Sequence, residues 1–458
     1  MRTQTVWTVA LCAAAAAAVG VLAQEREIIK ISKGERAVLA VPDLRGSGDA
    51  QQYMGAFNQT LWSDLDAAGM FNLAPKSMYW LQVPQQPRDF RPEPAASPSM
   101  GNVRPNGQGL QLSDWASPPV SAGYLAFGYT GVEAGQFVLR GWFYNTGRPL
   151  ASAQVFGKTY LEPLGEDGAR KVAHEFAADI LQQFGSPSLW NTKIYFTSER
   201  TRGVKEIWAV DADGSNLKQI TFYKSLSIMP AVSPDGTRVA FCSFAHGNPA
   251  IQVFSLETGR RLPFYNEVSS LTATPEFTPD GKQVLFASSV TGWAQIYIAN
   301  LDGSGMRRVT NSRSIDMEPK VNPKTGAQIV FISDRSGMPQ IYRMSAEGTD
   351  VQMLTEGNGE AVNPAWDPDG QHIAFAWTRG YAPGHYNVFI MDVATRKYTQ
   401  LTHDAGRNEH PSWAPDGRHI VFSSNRSGSL QIWTMLADGT QLKQLTTQGI
   451  NTQPVWSK

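Results

Sequence analysis

One short motif, repeated through the last 270 or so residues, constrains this chain more than anything else in it. Pro230-Ala231-Val232-Ser233-Pro234-Asp235-Gly236 returns as Pro275 to Gly281, as Pro364 to Gly370 and as Pro411 to Gly417, with a looser copy from Pro319 to Gly326. With Pro187 and Pro454 as flanking copies, the leading prolines stand 43 to 47 residues apart, so six units fill residues 188 to 458. Each unit carries four strand-like runs in the same order. In the third these are Pro275-Glu276-Phe277, Gln283 to Ala287, Gln295 to Ala299 and Met306 to Thr310, separated by Pro279-Asp280-Gly281, Thr291-Gly292 and Asp302-Gly303. Turn chemistry of this kind between short strands predicts antiparallel pairing. Four strands at a period near 45 residues is the signature of a propeller blade. A β-sandwich has no reason to repeat one motif six times.

The two ends of the repeat predict how the ring closes. The first unit lacks the proline-led strand, since Ser186 to Asn191 runs straight into Lys193-Ile194-Tyr195-Phe196. The chain ends on an orphan copy, Gln453-Pro454-Val455-Trp456-Ser457. The expectation is that this C-terminal strand supplies the inner strand of the first blade, leaving no open edge. Trp366, Trp413, Trp456 and Phe277 then read as packing between blades rather than as a binding box.

Residues 24–187 have a different texture. Val38 to Pro42 reads as a buried strand, and Met54, Phe57, Leu61, Leu65 and Ala68 fall at helical spacing before Gly69. Strand-like runs follow at Tyr124 to Thr130, Gln136 to Tyr144 and Ala153 to Tyr160, then a second amphipathic helix carrying Val172, Phe176 and Ile180 and ending at Gly185. The expected fold class is therefore an α/β N-terminal domain followed by an all-β six-bladed β-propeller. Six prolines within residues 84–105 mark that stretch as an extended surface excursion. Ahead of all this, Arg2 and an alanine-rich apolar run from Val6 to Leu22 read as a signal peptide over residues 1–23, with Gln24 as the first mature residue. A retained anchor is the alternative, though the run falls short of a bilayer span. A mature protein that does not span the membrane, in the periplasm and monomeric, is expected.

Composition removes several classes. With 40 basic and 40 acidic residues there is no positive excess for a nucleic acid partner. Cys242 stands alone outside the signal, so the fold rests on packing rather than a disulfide. There is no G-x-G-x-x-G, no Walker loop and no G-x-S-x-G, and none of the seven histidines pairs with another at ligand spacing. No catalytic residue, cofactor or metal is expected; ligands gathered from several blades, as in propeller lyases, would escape such a test.

Strand order locates a candidate surface. In a four-stranded meander, the turn after the second strand and the link to the next blade share one face of the disc. That face is expected to collect the residues before each proline, Met229, Thr274, Glu318, Asn363, His410 and Gln453, with Arg200, Arg335, Arg379 and Arg426 from the second turns. A ring of unlike polar groups around a channel mouth suits protein docking. A second candidate lies at the start of the mature chain, where Glu27, Ile28, Ile29, Lys30 and Ile31 read either as a strand offered to a partner or as the domain's own first strand.

The export signal, the strand ending Ala40-Val41-Pro42, the helix running into Asp64-Leu65-Asp66-Ala67-Ala68-Gly69-Met70-Phe71 and the Ser-Pro-Asp-Gly blades together resemble the TolB family, the periplasmic component of the Tol-Pal cell-envelope system. The proline-rich stretch 84–105 and Pro323-Lys324-Thr325-Gly326 in the fourth unit depart from the usual pattern. The resemblance implies a non-enzymatic adaptor. Its propeller would bind the peptidoglycan-associated lipoprotein Pal and its mature N-terminal segment would bind TolA, supporting outer-membrane integrity and constriction during division. The alternative is a propeller enzyme or carbohydrate-binding protein holding a small molecule in the channel mouth.

Overall fold

A computed structural model describes residues 36–92, 109–403 and 406–457. The described chain divides into two compact units between Ser188 and Leu189.

In the first unit, β1 (Ala37–Ala40), β2 (Arg45–Gly46), β3 (Phe71–Leu73), β4 (Tyr124–Glu133), β5 (Gln136–Asn145) and β6 (Gln154–Pro163) form one mixed sheet in the order β3-β1-β4-β5-β6, with β2 beside β4. The parallel pairs are β1 with β3, β1 with β4 and β2 with β4, each joined through a helical crossover, while β4, β5 and β6 are an antiparallel meander. Helices α1 (Met54–Ala67) and α3 (Glu166–Gln183) cover one sheet face, with the short α2 (Leu112–Ala116) between them in sequence. Phe57, Leu61 and Leu65 of α1 and Val172, Phe176 and Ile180 of α3 are fully buried against Leu39, Phe137, Leu139 and Phe143. The helical spacing in the sequence therefore marks the true core faces. The chain leaves α1 at Gly69 and α3 near Gly185, both left-handed, where a Cβ would be strained.

Of the proline-rich stretch 84–105, residues 84–92 are among those described, and these are not all at the surface. Phe90, inside it, is buried on the other face of the sheet, edge-on to Phe127 at 5.3 Å and stacked on Tyr144 at 5.7 Å. One aromatic ring buries enough apolar area to pin a loop that proline composition alone reads as surface.

The second unit is a closed ring of six four-stranded blades. Blade 1 joins the C-terminal strand Ile450–Trp456 as innermost strand to Lys193–Thr201, Val204–Asp211 and Lys218–Gln219. The inner strands of blades 2 to 6 are Ser227–Val232, Thr272–Phe277, Asp316–Val321, Ala361–Trp366 and Asn408–Trp413. The expected closure is thus the observed one: Trp456 pairs with Ile194, and its indole Nε1 donates to Thr192 Oγ1 at 2.9 Å. Phe277, Trp366, Trp413 and Trp456 are all buried in apolar clusters that span neighbouring blades. In blade 4, where Pro323-Lys324-Thr325-Gly326 replaces the usual turn, Asn322 Oδ1 accepts the backbone N–H of Lys324 and of Thr325, each at 3.1 Å. In blade 2, Asp235 Oδ1 does the same work for Thr237 N at 3.0 Å.

Candidate functional site: the propeller channel

Every inner strand is interrupted at the same point. Pairing to the second strand slips between Ile228 and Ala231, Ala273 and Glu276, Met317 and Lys320, Val362 and Ala365, Glu409 and Ser412, and Thr452 and Val455. Each gap holds the proline and the residue before it. Proline has no N–H to give the ladder, so it sits where an edge strand bulges. The preceding residue would be expected to stay extended. Instead Met229, Thr274, Glu318, Asn363, His410 and Gln453 are all left-handed, with φ between 52° and 58°. Among the described residues these six account for nearly half of the fourteen non-glycine residues with positive φ. Only asparagine and histidine accept that conformation at modest cost, and a β-branched residue such as Thr274 is an outlier there. Strained backbone repeated at six equivalent points is a designed feature of the ring.

The bulge frees the backbone N–H of these residues from the ladder, and in four of the six a relay between blades takes it up. Gln453 Oε1 accepts Met229 N at 3.0 Å, Thr274 Oγ1 accepts Glu318 N at 3.3 Å, Glu318 Oε2 accepts Asn363 N at 2.8 Å, and Asn363 Oδ1 accepts His410 N at 3.3 Å. Each side chain thereby ties its own blade to the next. Met229 has only a thioether to offer, and His410 Nδ1 is buried without a partner among the described residues.

All six residues line one cavity of about 260 Å³, together with the following proline in every blade but the fourth, Glu276, Lys320 and the three tryptophans Trp366, Trp413 and Trp456. Lys320 Nζ meets Glu276 Oε2 at 2.6 Å in the wall. Protein surrounds Glu318 and His410, although the channel keeps part of each side chain in contact with solvent. Burial pushes the Glu318 carboxyl up, against the hydrogen bonds from Asn363 that favour its charge. For His410, burial first and then the charges of Arg407 and Lys320 hold the imidazole down at about 4. The channel thus contains a carboxyl and a neutral imidazole. Among the described residues no three His, Cys, Asp or Glu side chains converge to hold a metal ion.

The four arginines are placed elsewhere. None lines the cavity. Each guanidinium lies over an aromatic ring of its own blade: Arg200 over Trp208 at 4.1 Å, Arg335 over Tyr342 at 4.9 Å, Arg379 over Trp377 at 4.8 Å and Arg426 over Trp433 at 5.1 Å. Arg335 also makes a salt bridge to the fully buried Asp316 at 2.9 Å. The structure therefore brings together the six pre-proline residues and sets the arginines apart, as braces of the second turns. Glu27, Ile28, Ile29, Lys30 and Ile31 lie outside the described residues.

What the sequence reading missed on this face is apolar. Val268, in the link into blade 3, is 84% exposed and Trp293, in the second turn of blade 3, is 54% exposed. Ile315 and Met338 are exposed in the corresponding link and turn of blade 4. Asp316 N donates to Ala294 O at 2.9 Å and Ile315 N to Asp334 Oδ1 at 2.8 Å, which sets Trp293, Ile315 and the turn carrying Met338 side by side. Exposed apolar residues grouped in this way mark interaction surfaces more often than isolated ones do. Lone hydrophobic residues in loops carry no period, so nothing in the sequence groups them.

Fold and channel define a closed six-bladed β-propeller protein with an α/β unit before the ring. A family model described as the TolB beta propeller domain matches residues 183–380 and 353–458. The chain belongs to the TolB β-propeller family. It is 30% identical over 244 residues to a protein of Chlorobium luteolum named "Protein TolB homolog", covering 52% of this chain and 50% of that one. It is 33% identical over 171 residues to the "Tol-Pal system protein TolB" of Desulfosudis oleivorans, covering 36% of this chain and 37% of that one. These matches span about half or less of the relatives' length. The crystal structure of TolB from Acinetobacter baumannii aligns with a TM-score of 0.72 at 24% identity, over 92% of this chain and 97% of that one, which speaks to the fold.

Proposed function

We propose that this chain is a non-enzymatic adaptor of the Tol-Pal cell-envelope system, acting in the periplasm. The channel face of its propeller docks the peptidoglycan-associated lipoprotein Pal, and the mature N-terminal segment around residues 27–31 engages TolA, in support of outer-membrane integrity and constriction during division. The observation that carries this reading is the ring of six pre-proline residues. The blade fold requires the strained bulge six times, and the backbone repeats closely, yet the six side chains are Met, Thr, Glu, Asn, His and Gln. A purely structural ring would need one good residue six times. Six unlike side chains on one rigid frame encode an asymmetric surface, which is what recognition of one protein partner requires. The names of the relatives, which place them in the Tol-Pal system, support the same reading. The exposed Trp293, Ile315 and Met338 supply the apolar anchors that polar channel residues lack.

The test is capture from periplasmic extract by the full mature chain. Recovery of a peptidoglycan-associated lipoprotein supports the reading. Retention or turnover of a small molecule in the channel, with no protein recovered, replaces it with an enzyme or carbohydrate-binding protein.

A further inference from the structure

Blades 4 and 6 share a clasp that blade 1 contains but does not close. In blade 4, Arg335 Nε donates to Ser333 Oγ at 2.9 Å, and Arg335 Nη2 reaches Asp316 Oδ1 at 2.9 Å and Oδ2 at 3.1 Å. In blade 6, Arg426 Nε donates to Ser424 Oγ at 2.9 Å and Nη2 to Asn408 Oδ1 at 2.8 Å. Each clasp ties the turn after the second strand to the inner strand of the same blade. The serine and the acid or amide face each other across the ladder, Asp316 with Ser333 and Asn408 with Ser424.

Blade 1 has the same three residues in the same register. Asn451 of the C-terminal strand faces Ser198, and Arg200 follows two residues later. Asn451 Nδ2 even bridges to the preceding blade through Gln431 Oε1 at 2.7 Å, as Asn408 Nδ2 does through Asn387 Oδ1 at 3.3 Å. Yet Ser198 Oγ, Arg200 Nε, Arg200 Nη2 and Asn451 Oδ1 are all buried and have no partner among the described residues. Two donors and two acceptors are left, and they are the four atoms that pair in blades 4 and 6. Buried polar atoms left unpaired are rare and costly, and four complementary ones at a single site call for a cause.

The cause is one residue. Blades 4 and 6 turn through Asp334-Arg335-Ser336-Gly337 and Asn425-Arg426-Ser427-Gly428, whereas blade 1 turns through Glu199-Arg200-Thr201-Arg202-Gly203. With Arg202 added, the blade 1 hairpin stays paired out to Thr201 and Val204, and the register slips between Glu199 and Thr201, which makes Arg200 the bulged residue. Its guanidinium rests closer to its ring than the other three, at 4.1 Å from Trp208, and keeps a single contact from Nη1 to Gln448 Oε1 at 3.3 Å.

We infer that blade 1 carries a two-state clasp, held open by Arg202, in which Arg200 moves between the face of Trp208 and the Ser198–Asn451 pair. The closed state ties the channel-face turn to the C-terminal strand; the open state leaves that strand held by its ladder and by Trp456. The seam of the ring is therefore adjustable where the seams of blades 4 and 6 are fixed.

The experiment is thermal unfolding of the full mature chain, native and with Arg202 deleted, each with and without Arg200→Gln. Deletion gives blade 1 the turn length of blades 4 and 6. It should raise Tm by about 3 °C or more, and Arg200→Gln should erase that rise while costing the native protein clearly less. A deletion that folds but shows no dependence on Arg200 overturns the inference. Should the deletion not fold, Asn451→Asp supplies the carboxylate that Asp316 provides in blade 4. A penalty for Arg200→Gln that is larger in that background than in the native one supports the clasp, and an equal penalty in both backgrounds overturns it.

Discussion

The backbone N–H of Asn363 donates to Glu318 Oε2 at 2.8 Å, and the side-chain amide of Asn363 returns to both carboxylate oxygens of Glu318 at 3.0 and 3.1 Å. This is the tightest step of the relay that links inner strands around the channel, and it joins blades 4 and 5. An acceptor is needed at position 318; a charge is not. Glu318→Gln should therefore stay within about 0.5 kcal/mol of the native stability, because the amide oxygen still accepts Asn363 N–H. Glu318→Ala should cost about 1–3 kcal/mol, since it strands a backbone donor that the bulge has taken out of the ladder. Urea titrations of the two variants distinguish these outcomes.

His410 predicts a pH dependence. Its imidazole is held at about 4 in the folded protein against 6.5 as the ordinary value, chiefly by burial. Between those two values the unfolded chain binds a proton that the folded chain refuses, so stability falls as the pH drops from about 6.5 towards 4 and is unaffected above about 7. The loss is on the order of 2 kcal/mol. Glu318, with its carboxyl pushed up, acts in the opposite direction on acidification and is common to both proteins compared. The stability–pH curve of His410→Gln should be flatter than that of the native chain over this range. An identical slope in both would show that His410 is protonated in the fold.

Removing Gln453 to Lys458 takes the second half of the inner strand from blade 1, with the buried Trp456 and its hydrogen bond to Thr192. The loss should be about 4 kcal/mol or more, seen as a lowered Tm. Unchanged melting would contradict closure by the C-terminal strand.

A chain beginning at Arg36 lacks residues 27–31 and should lose capture of TolA while keeping capture of Pal, because the two partners are assigned to different parts of the molecule. Normal TolA capture would remove the arm from the account.

How much of this was legible in the sequence depends on what repeats. The blades, their number and the role of Pro454-Val455-Trp456 follow from a motif with a period, and turn residues such as Pro234-Asp235-Gly236 state their own geometry. The outermost strands, two or three residues each, such as Lys218–Gln219 and Arg307–Arg308, are too short to carry an alternation that sequence could reveal. The pre-proline positions were legible as a set, but their left-handed backbone was not. A residue before proline is ordinarily extended, and here the bulge on an edge strand overrides that preference. The arginines are expected at the channel mouth because the position of a second turn can be counted from the sequence, whereas the aromatic ring that each guanidinium covers cannot. Phe90 shows the same limit in the first unit: composition marks the loop as exposed, and tertiary packing places one ring in the core.

Docking of a protein on the channel face is decided by calorimetric titration of the full mature chain with the soluble domain of Pal. The native protein should bind with a measurable heat. Trp293→Ala, a change at an exposed residue that should leave Tm within about 2 °C, should weaken binding about 30-fold, the equivalent of about 2 kcal/mol for a hot-spot aromatic. Binding that is absent from the native chain, or that is untouched both by Trp293→Ala and by Glu318→Gln, would contradict the account.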